Sequence, residues 1–122
     1  MIDQIYIINL DDAVDRRRCI EAQLTKLNVK NYTFFKAIRP SMDILNNYRN
    51  FSRNNPQNIR RNELGCLLSH IGVMKDALHN NYDTIIILED DVVILDVDFI
   101  EKIKAHIISL KNNFDVLFLG AN

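Results

Sequence analysis

The chain has no tryptophan, three glycines, two prolines and two cysteines among its 122 residues. Each scarcity excludes something. Cys19 and Cys66 form no metal-type cluster and no CxxC redox pair. They read as two buried free thiols, because unpaired cysteine behaves as a small hydrophobe. No GxGxxG or Walker A lysine motif is present, so dinucleotide and P-loop readings fail. The longest apolar runs, such as Ile85 to Leu88, are far too short to span a bilayer. The opening Met1-Ile2-Asp3-Gln4 has no basic region followed by an apolar stretch, so no signal peptide is expected and a cytoplasmic location is. Fifteen basic residues against sixteen acidic ones leave a net charge of −1. That gives no electrostatic reason to expect nucleic acid or an anionic membrane as partner. Two N-x-S/T sequons, at Asn31 and Asn50, carry no weight in so Asn-rich a chain.

What is present is an ordinary soluble composition, 48% hydrophobic and 25% charged. The length predicts one domain over residues 1–122. Strands alternate with helices, the pattern of an α/β layer fold. The first strand spans Gln4 to Leu10, and its β-branched run suits a strand buried on both faces. Asp11 or Asp12 is placed to cap a helix from Ala13 to Leu27, whose apolar face is Ile20, Leu24 and Leu27. A second strand is expected over Tyr32 to Ile38. A polar excursion from Arg39 to Asn62 follows, interrupted by Pro56, with a short helix near Met42 to Tyr48. Glu63 to Leu78 reads as a helix with a wide apolar stripe through Leu64, Leu67, Leu68, Ile71, Met74 and Leu78. Gly65 and Gly72 leave room for another backbone there. Thr84 to Leu88 is a strand. Asp98 to Leu110 is a helix, with Asp98 and Glu101 as a capping box. Asp115 to Leu119 is the last expected strand, and a chain stopping just after it reads as truncated.

Three places carry chemistry. Glu89-Asp90-Asp91 sits at the carboxyl end of a buried strand, where open α/β sheets bind ligands. Three adjacent carboxylates repel one another, and a divalent cation relieves that; oxygen ligands suit Mn²⁺ or Mg²⁺. If the backbone stays extended, Glu89 and Asp91 share a side and form the metal pair, while Asp90 orients a neighbour or a helix terminus. Asn9-Leu10-Asp11 ends another strand and precedes a helix start carrying Arg16 and Arg17. Helix N-termini favour anions, and an arginine adds a charge-assisted contact to a diphosphate. Ser69-His70 lies within a helix. Adjacent helical positions diverge too far for a Ser–His triad, so His70 is either a ligand contact or a satisfied structural histidine.

Read in series, Ile5-Tyr6-Ile7-Ile8-Asn9-Leu10-Asp11 with Asp15-Arg16-Arg17, then Glu63 to His70, then Ile87 to Val92, then Phe114 to Gly120, resemble the signature segments of glycosyltransferase family 25. That group includes lipopolysaccharide and collagen sugar transferases. The resemblance implies a Rossmann-like glycosyltransferase A-type fold, a mostly parallel sheet flanked by helices. It implies a nucleotide-sugar donor, commonly a uridine diphosphate sugar, and a divalent cation, Mn²⁺ or Mg²⁺. The acceptor would be a glycan, lipooligosaccharide or protein hydroxyl. Carried over by position, Asn9, Leu10, Asp11, Arg16, Arg17, Ser69, His70 and Asp90 would serve the nucleotide sugar, and Glu89 and Asp91 the metal. Family members are usually longer, and the part beyond would supply acceptor contacts and the base, so no catalytic base is named. The alternatives are a catalytically incomplete remnant that binds a nucleotide or partner, or a site completed by a second chain. A phosphoacceptor receiver domain fits poorly, because Asp115 begins its strand and none follows.

Overall fold

The computed structural model describes residues 1–51, 59–111 and 113–120. Pro56 and the serine of the Asn50 sequon lie outside that set. The described chain is α/β. Its elements run β1 (Gln4–Asn9), α1 (Val14–Lys26), β2 (Tyr32–Lys36), α2 (Met42–Phe51), α3 (Arg61–His79), β3 (Ile85–Glu89) and α4 (Phe99–Ser109). It divides into two compact units, one over Ile2–Val93 and one over Ile94–Asn122 with Met1.

In the first unit β1 is central in a parallel sheet of order β2-β1-β3. Register pairs Asn9 with Lys36 and Ile8 with Glu89, so all three strands end at one level. Alternation along the strands then sorts side chains between two faces. Tyr6 and Ile8 pack with Val73 and Ala77 of α3, joined by Phe35, Ile85 and Ile87. Ile5, Ile7, Ile86 and Leu88 have the other parity and are buried, as are Ile20 and Leu24 of α1. The side chain of Arg17 stacks over Phe34 at 4.1 Å, marking that second face as the one α1 covers. The buried Tyr6 hydroxyl donates to Asp76 at 2.6 Å, tying β1 to α3.

α3 comes close to β2 because its sheet-facing line is built of small residues. A Cβ on Gly65 would stand 2.7 Å from the Ile38 carbonyl oxygen, and one on Gly72 would stand 2.7 Å from the Phe35 ring. Gly65, Ser69, Val73 and Ala77 form the buried line, with Leu64 to one side. The expected wide stripe is therefore narrower. Leu67, Met74 and Leu78 are exposed, because at 100° per residue they lie on the far side of the helix from that line.

Helix ends also depart from expectation. Asp11 and Asp12 do not cap α1: they pair with Lys36 (2.8 Å) and Arg39 (3.3 Å), and Ala13 is the N-cap with no side-chain hydrogen bond. Asp98 makes no side-chain cap on α4, and Glu101 pairs with Lys104 instead. At their carboxyl ends α1 and α3 turn through Asn28 (φ 56°) and Asn81 (φ 57°). The N–H groups of Asn28 and Val29 bond back to Thr25 and Leu24, and those of Asn81 and Tyr82 to Leu78 and Ala77. These are Schellman motifs with asparagine where glycine is usual.

Both cysteines are exposed rather than buried. Cys19 precedes Ile20 on a helix whose only fully buried residues are Ile20 and Leu24, so a neighbouring position turns outward.

In the second unit α4 buries Ile103 and Ile107, and Lys102 pairs with Asp96 ahead of the helix. The strand expected over Asp115 to Leu119 is absent: residues 116–120 carry no regular structure, and Val116, Phe118 and Leu119 are exposed. An apolar β-branched run becomes a strand only when a neighbouring strand takes its N–H and C=O groups, and the only described sheet is made of β1, β2 and β3.

Candidate functional site

The carboxyl ends of β1 and β3 lie side by side, and the chain leaves β1 toward β2 on one side and returns to β3 on the other. That makes this the switch point of the sheet. Asn9 ends β1 almost fully buried. Its side-chain amide donates to Asp90 Oδ2 at 2.9 Å and to the Ala13 carbonyl at 3.2 Å. Arg16 approaches Asp90 Oδ1 at 3.4 Å. The Asp90 side chain keeps only 10% of its exposure, whereas Arg16 keeps 62%. Asp90 is thus bound into the corner formed by β1 and the start of α1. Gln23 of α1 also donates to the Val92 carbonyl at 3.0 Å, holding the chain after the acidic triplet.

The two arginines separate. Arg16 turns toward Asp90, while Arg17 lies over Phe34 and pairs with Glu21 at 3.4 Å. Leu10 is half-buried, and its carbonyl accepts from the Ala13 N–H at 3.0 Å. Asp11 is exposed beside Lys36, and that ion pair raises the lysine above its usual range.

β3 ends at Glu89, and the next two residues form a turn closed by the Val92 N–H on the Glu89 carbonyl at 3.3 Å. Strand alternation therefore places Glu89 on the α3 side and Asp90 on the α1 side, and stops short of Asp91. Glu89 and Asp91 are both exposed. Among the described residues Asp91 has no hydrogen-bond or ion-pair partner. The extended backbone that would set Glu89 and Asp91 on one side is thus replaced by a turn, and Glu89 Oε1 lies against Cys66 Sγ at 3.4 Å.

Ser69 is committed elsewhere. It is 1% exposed, its hydroxyl accepts from the Ile38 N–H at 2.8 Å, and it donates to the Gly65 carbonyl at 2.7 Å. It staples α3 to the chain leaving β2, so any service to a ligand goes through the placement of α3. His70 Nδ1 lies 2.9 Å from the Cys66 carbonyl and 3.7 Å from Cys66 Sγ. Cys66 Sγ lies 3.4 Å from Glu89 Oε1. Partial desolvation pushes the Cys66 thiol up, and the Glu89 carboxylate adds to it. Sequence reasoning named His70 and Glu89 separately and missed Cys66 between them. The signal was there: Cys66 and His70 are one helical turn apart, and Glu89 shares its parity with Ile85 and Ile87, which face α3.

With this geometry in view, the chain can be set beside known proteins. The sequence profile described as glycosyltransferase family 25 (LPS biosynthesis protein) matches residues 2–120. The chain belongs to glycosyltransferase family 25. Among curated relatives, a procollagen lysyl hydroxylase and glycosyltransferase of Acanthamoeba polyphaga mimivirus is 32% identical over 137 aligned positions. These cover 98% of this chain and 15% of that protein. A Haemophilus influenzae protein provisionally named a glycosyltransferase is 32% identical, over 93% of this chain and 43% of its own length. Human procollagen galactosyltransferase 2 is 28% identical, over 93% of this chain and 18% of its own. The chain thus spans less than half the length of each of these relatives. Among the described residues no helix is long and apolar enough to cross a membrane.

Proposed function

We propose that this chain forms the donor side of a metal-assisted glycosyl transfer, from a nucleotide sugar of the uridine diphosphate type to a hydroxyl of a glycan, lipooligosaccharide or protein. The observation that carries the proposal is the meeting of Asn9, Arg16 and the Glu89-Asp90-Asp91 turn at the switch point of a parallel sheet in a family 25 chain. Residues 1–122 act in this reading as a single donor-binding domain.

The contacts support a role for each residue. Asn9 and Arg16 hold Asp90, and Asp90 in turn fixes the turn that presents Asp91. The first turn of α1 has no side-chain cap, so its N–H groups remain open to the diphosphate. The exposed Arg16 guanidinium can reach the same anion while staying near Asp90. Ser69 sets the height of α3, and with it His70, through the Ile38 N–H. Glu89 and Asp91 would hold the cation, which when bound supplies Lewis-acid assistance to departure of the diphosphate. Activation of the acceptor hydroxyl is assigned to no residue of this chain.

Thermal unfolding with UDP, with Mn²⁺, and with both tests the proposal. At about a hundred times the dissociation constant a ligand stabilises by about 2.7 kcal/mol. A rise in Tm that needs both additions, and disappears in Asp91→Ala, is expected. No rise in the well-folded wild type would sink the donor-site reading.

A further inference from the structure

A second set of ligating atoms lies on the α3 face of the sheet, away from the Asp90 corner. Cys66 and His70 stand one turn apart on α3, and Glu89 comes from the end of β3. One ligating atom from each lies within 4.8 Å of the other two. The Cys66 Sγ to Glu89 Oε1 distance is 3.4 Å. Tetrahedral zinc with bonds of about 2.0–2.3 Å spaces its ligand atoms about 3.5 Å apart, which the sulfur–carboxylate pair already matches and the imidazole approaches to within the 4.8 Å of the cluster. The carbonyl of Cys66 can only accept, so the His70 contact at 2.9 Å places a hydrogen on Nδ1 and leaves the lone pair on Nε2. A backbone carbonyl holding one ring nitrogen is how metal-binding histidines are commonly oriented. One sulfur, one imidazole and one carboxylate make a donor set of a different character from the all-oxygen pair Glu89 and Asp91.

We propose that Cys66, His70 and Glu89 form a site for a borderline-soft divalent cation of the zinc class, with a fourth position open to water. Binding forms a metal–sulfur bond and releases the Cys66 thiol proton to solvent, one proton per cation. His70 binds as the neutral imidazole, and no oxidation or reduction occurs. The site shares Glu89 with the donor reading and otherwise stands without it. A zinc-class ion here withdraws Glu89 from the donor side, so the two occupancies compete for that carboxylate.

Co²⁺ is the probe, because a cobalt–thiolate bond gives a near-ultraviolet charge-transfer band. The protein carries Cys19→Ser, so that only one thiol remains. The expected result is a band that saturates at one equivalent of Co²⁺ and bleaches on adding an equivalent of Zn²⁺. It persists in Asp91→Ala, is lost in Cys66→Ser, and in His70→Gln needs at least about tenfold more Co²⁺ to saturate, since losing a ligand costs no less than losing a ligand's own hydrogen-bond partner. Absence of the band in the Cys19→Ser protein, or its survival in Cys66→Ser, overturns the site. A second readout needs no substitution at Cys66. Zn²⁺, unlike equal Mn²⁺, should slow alkylation of Cys66 in the Cys19→Ser protein, and equal rates with the two ions overturn the proposal. Persistence of the band in Asp91→Ala, alongside loss of the UDP and Mn²⁺ response, separates the fate of this site from that of the donor site.

Discussion

Asp90 accepts from the buried Asn9 amide and faces Arg16, while Asp91 next to it stands exposed without a partner among the described residues. This difference predicts opposite outcomes for similar substitutions. Asp91→Ala should leave stability within about 0.5 kcal/mol of wild type, as for surface sites away from any network. Asp90→Ala should cost about 1–3 kcal/mol, because it strips a charged acceptor from a buried amide. Most of that cost belongs to Asn9, since the Arg16 pair is largely solvent-exposed and worth under about 1 kcal/mol. Urea titration of the two variants decides it. The sequence read the triplet as one acidic cluster, with Asp90 as the orienting member. What it could not supply was the turn, since three adjacent acids look the same whether the strand continues or stops.

The carboxylate of Asp3 belongs at the same scale. It accepts from the N–H groups of Thr84 (2.9 Å) and Asp83 (2.8 Å), and these bonds hold its pKa below the usual carboxylate range. A depressed folded-state pKa contributes stability above the unfolded value that is lost as pH falls through the folded one. The Asp3 contribution should therefore be present at neutral pH and fade below about pH 4. Asp3→Asn should lower stability at pH 7 and flatten that part of the acid limb. An unchanged acid limb would contradict the assignment.

At the scale of elements, α3 decides most of the site. Its approach to the chain leaving β2 rests on Gly65, where an added Cβ would meet backbone oxygen, and on the Ser69 staple. Gly65→Ala gains up to about 1 kcal/mol of helix propensity, yet overpacking against a backbone should outweigh it and leave a net loss of about 1–2 kcal/mol. Gly72→Ala meets only the end of the Phe35 ring, which can shift, and should cost less. Equal or greater stability for Gly65→Ala in chemical denaturation would contradict the close approach. The positions of β1, α1, β2, α3, β3 and α4 were legible because apolar periodicity changes between two and 3.6 along the chain. Three features were not. The exposed Leu67, Met74 and Leu78 look identical in sequence to core leucines and methionines, and only the glycine-lined contact says which side of α3 is buried. The caps expected from Asp11, Asp12 and Asp98 were claimed or bypassed by nearer lysine and arginine partners and by local turns. The apolar run from Asp115 to Leu119 carries strand composition, but composition does not provide a partner strand.

For the molecule as a whole, the order β2-β1-β3 matters more than any single residue. It brings two strand ends, one uncapped helix start and three carboxylates to one edge of the sheet. The proposed donor site is placed at that edge on the family assignment and the sheet together, and the proposed Cys66, His70 and Glu89 site on the other face would give the same strand end a second chemistry. The most direct measurement is calorimetric titration of UDP into the wild-type chain and Asp91→Ala, each with and without Mn²⁺. Saturable binding to wild type that requires Mn²⁺ is expected, and no Mn²⁺-dependent binding in Asp91→Ala. Binding indifferent to both the ion and the substitution, or no binding to folded wild type, would contradict it.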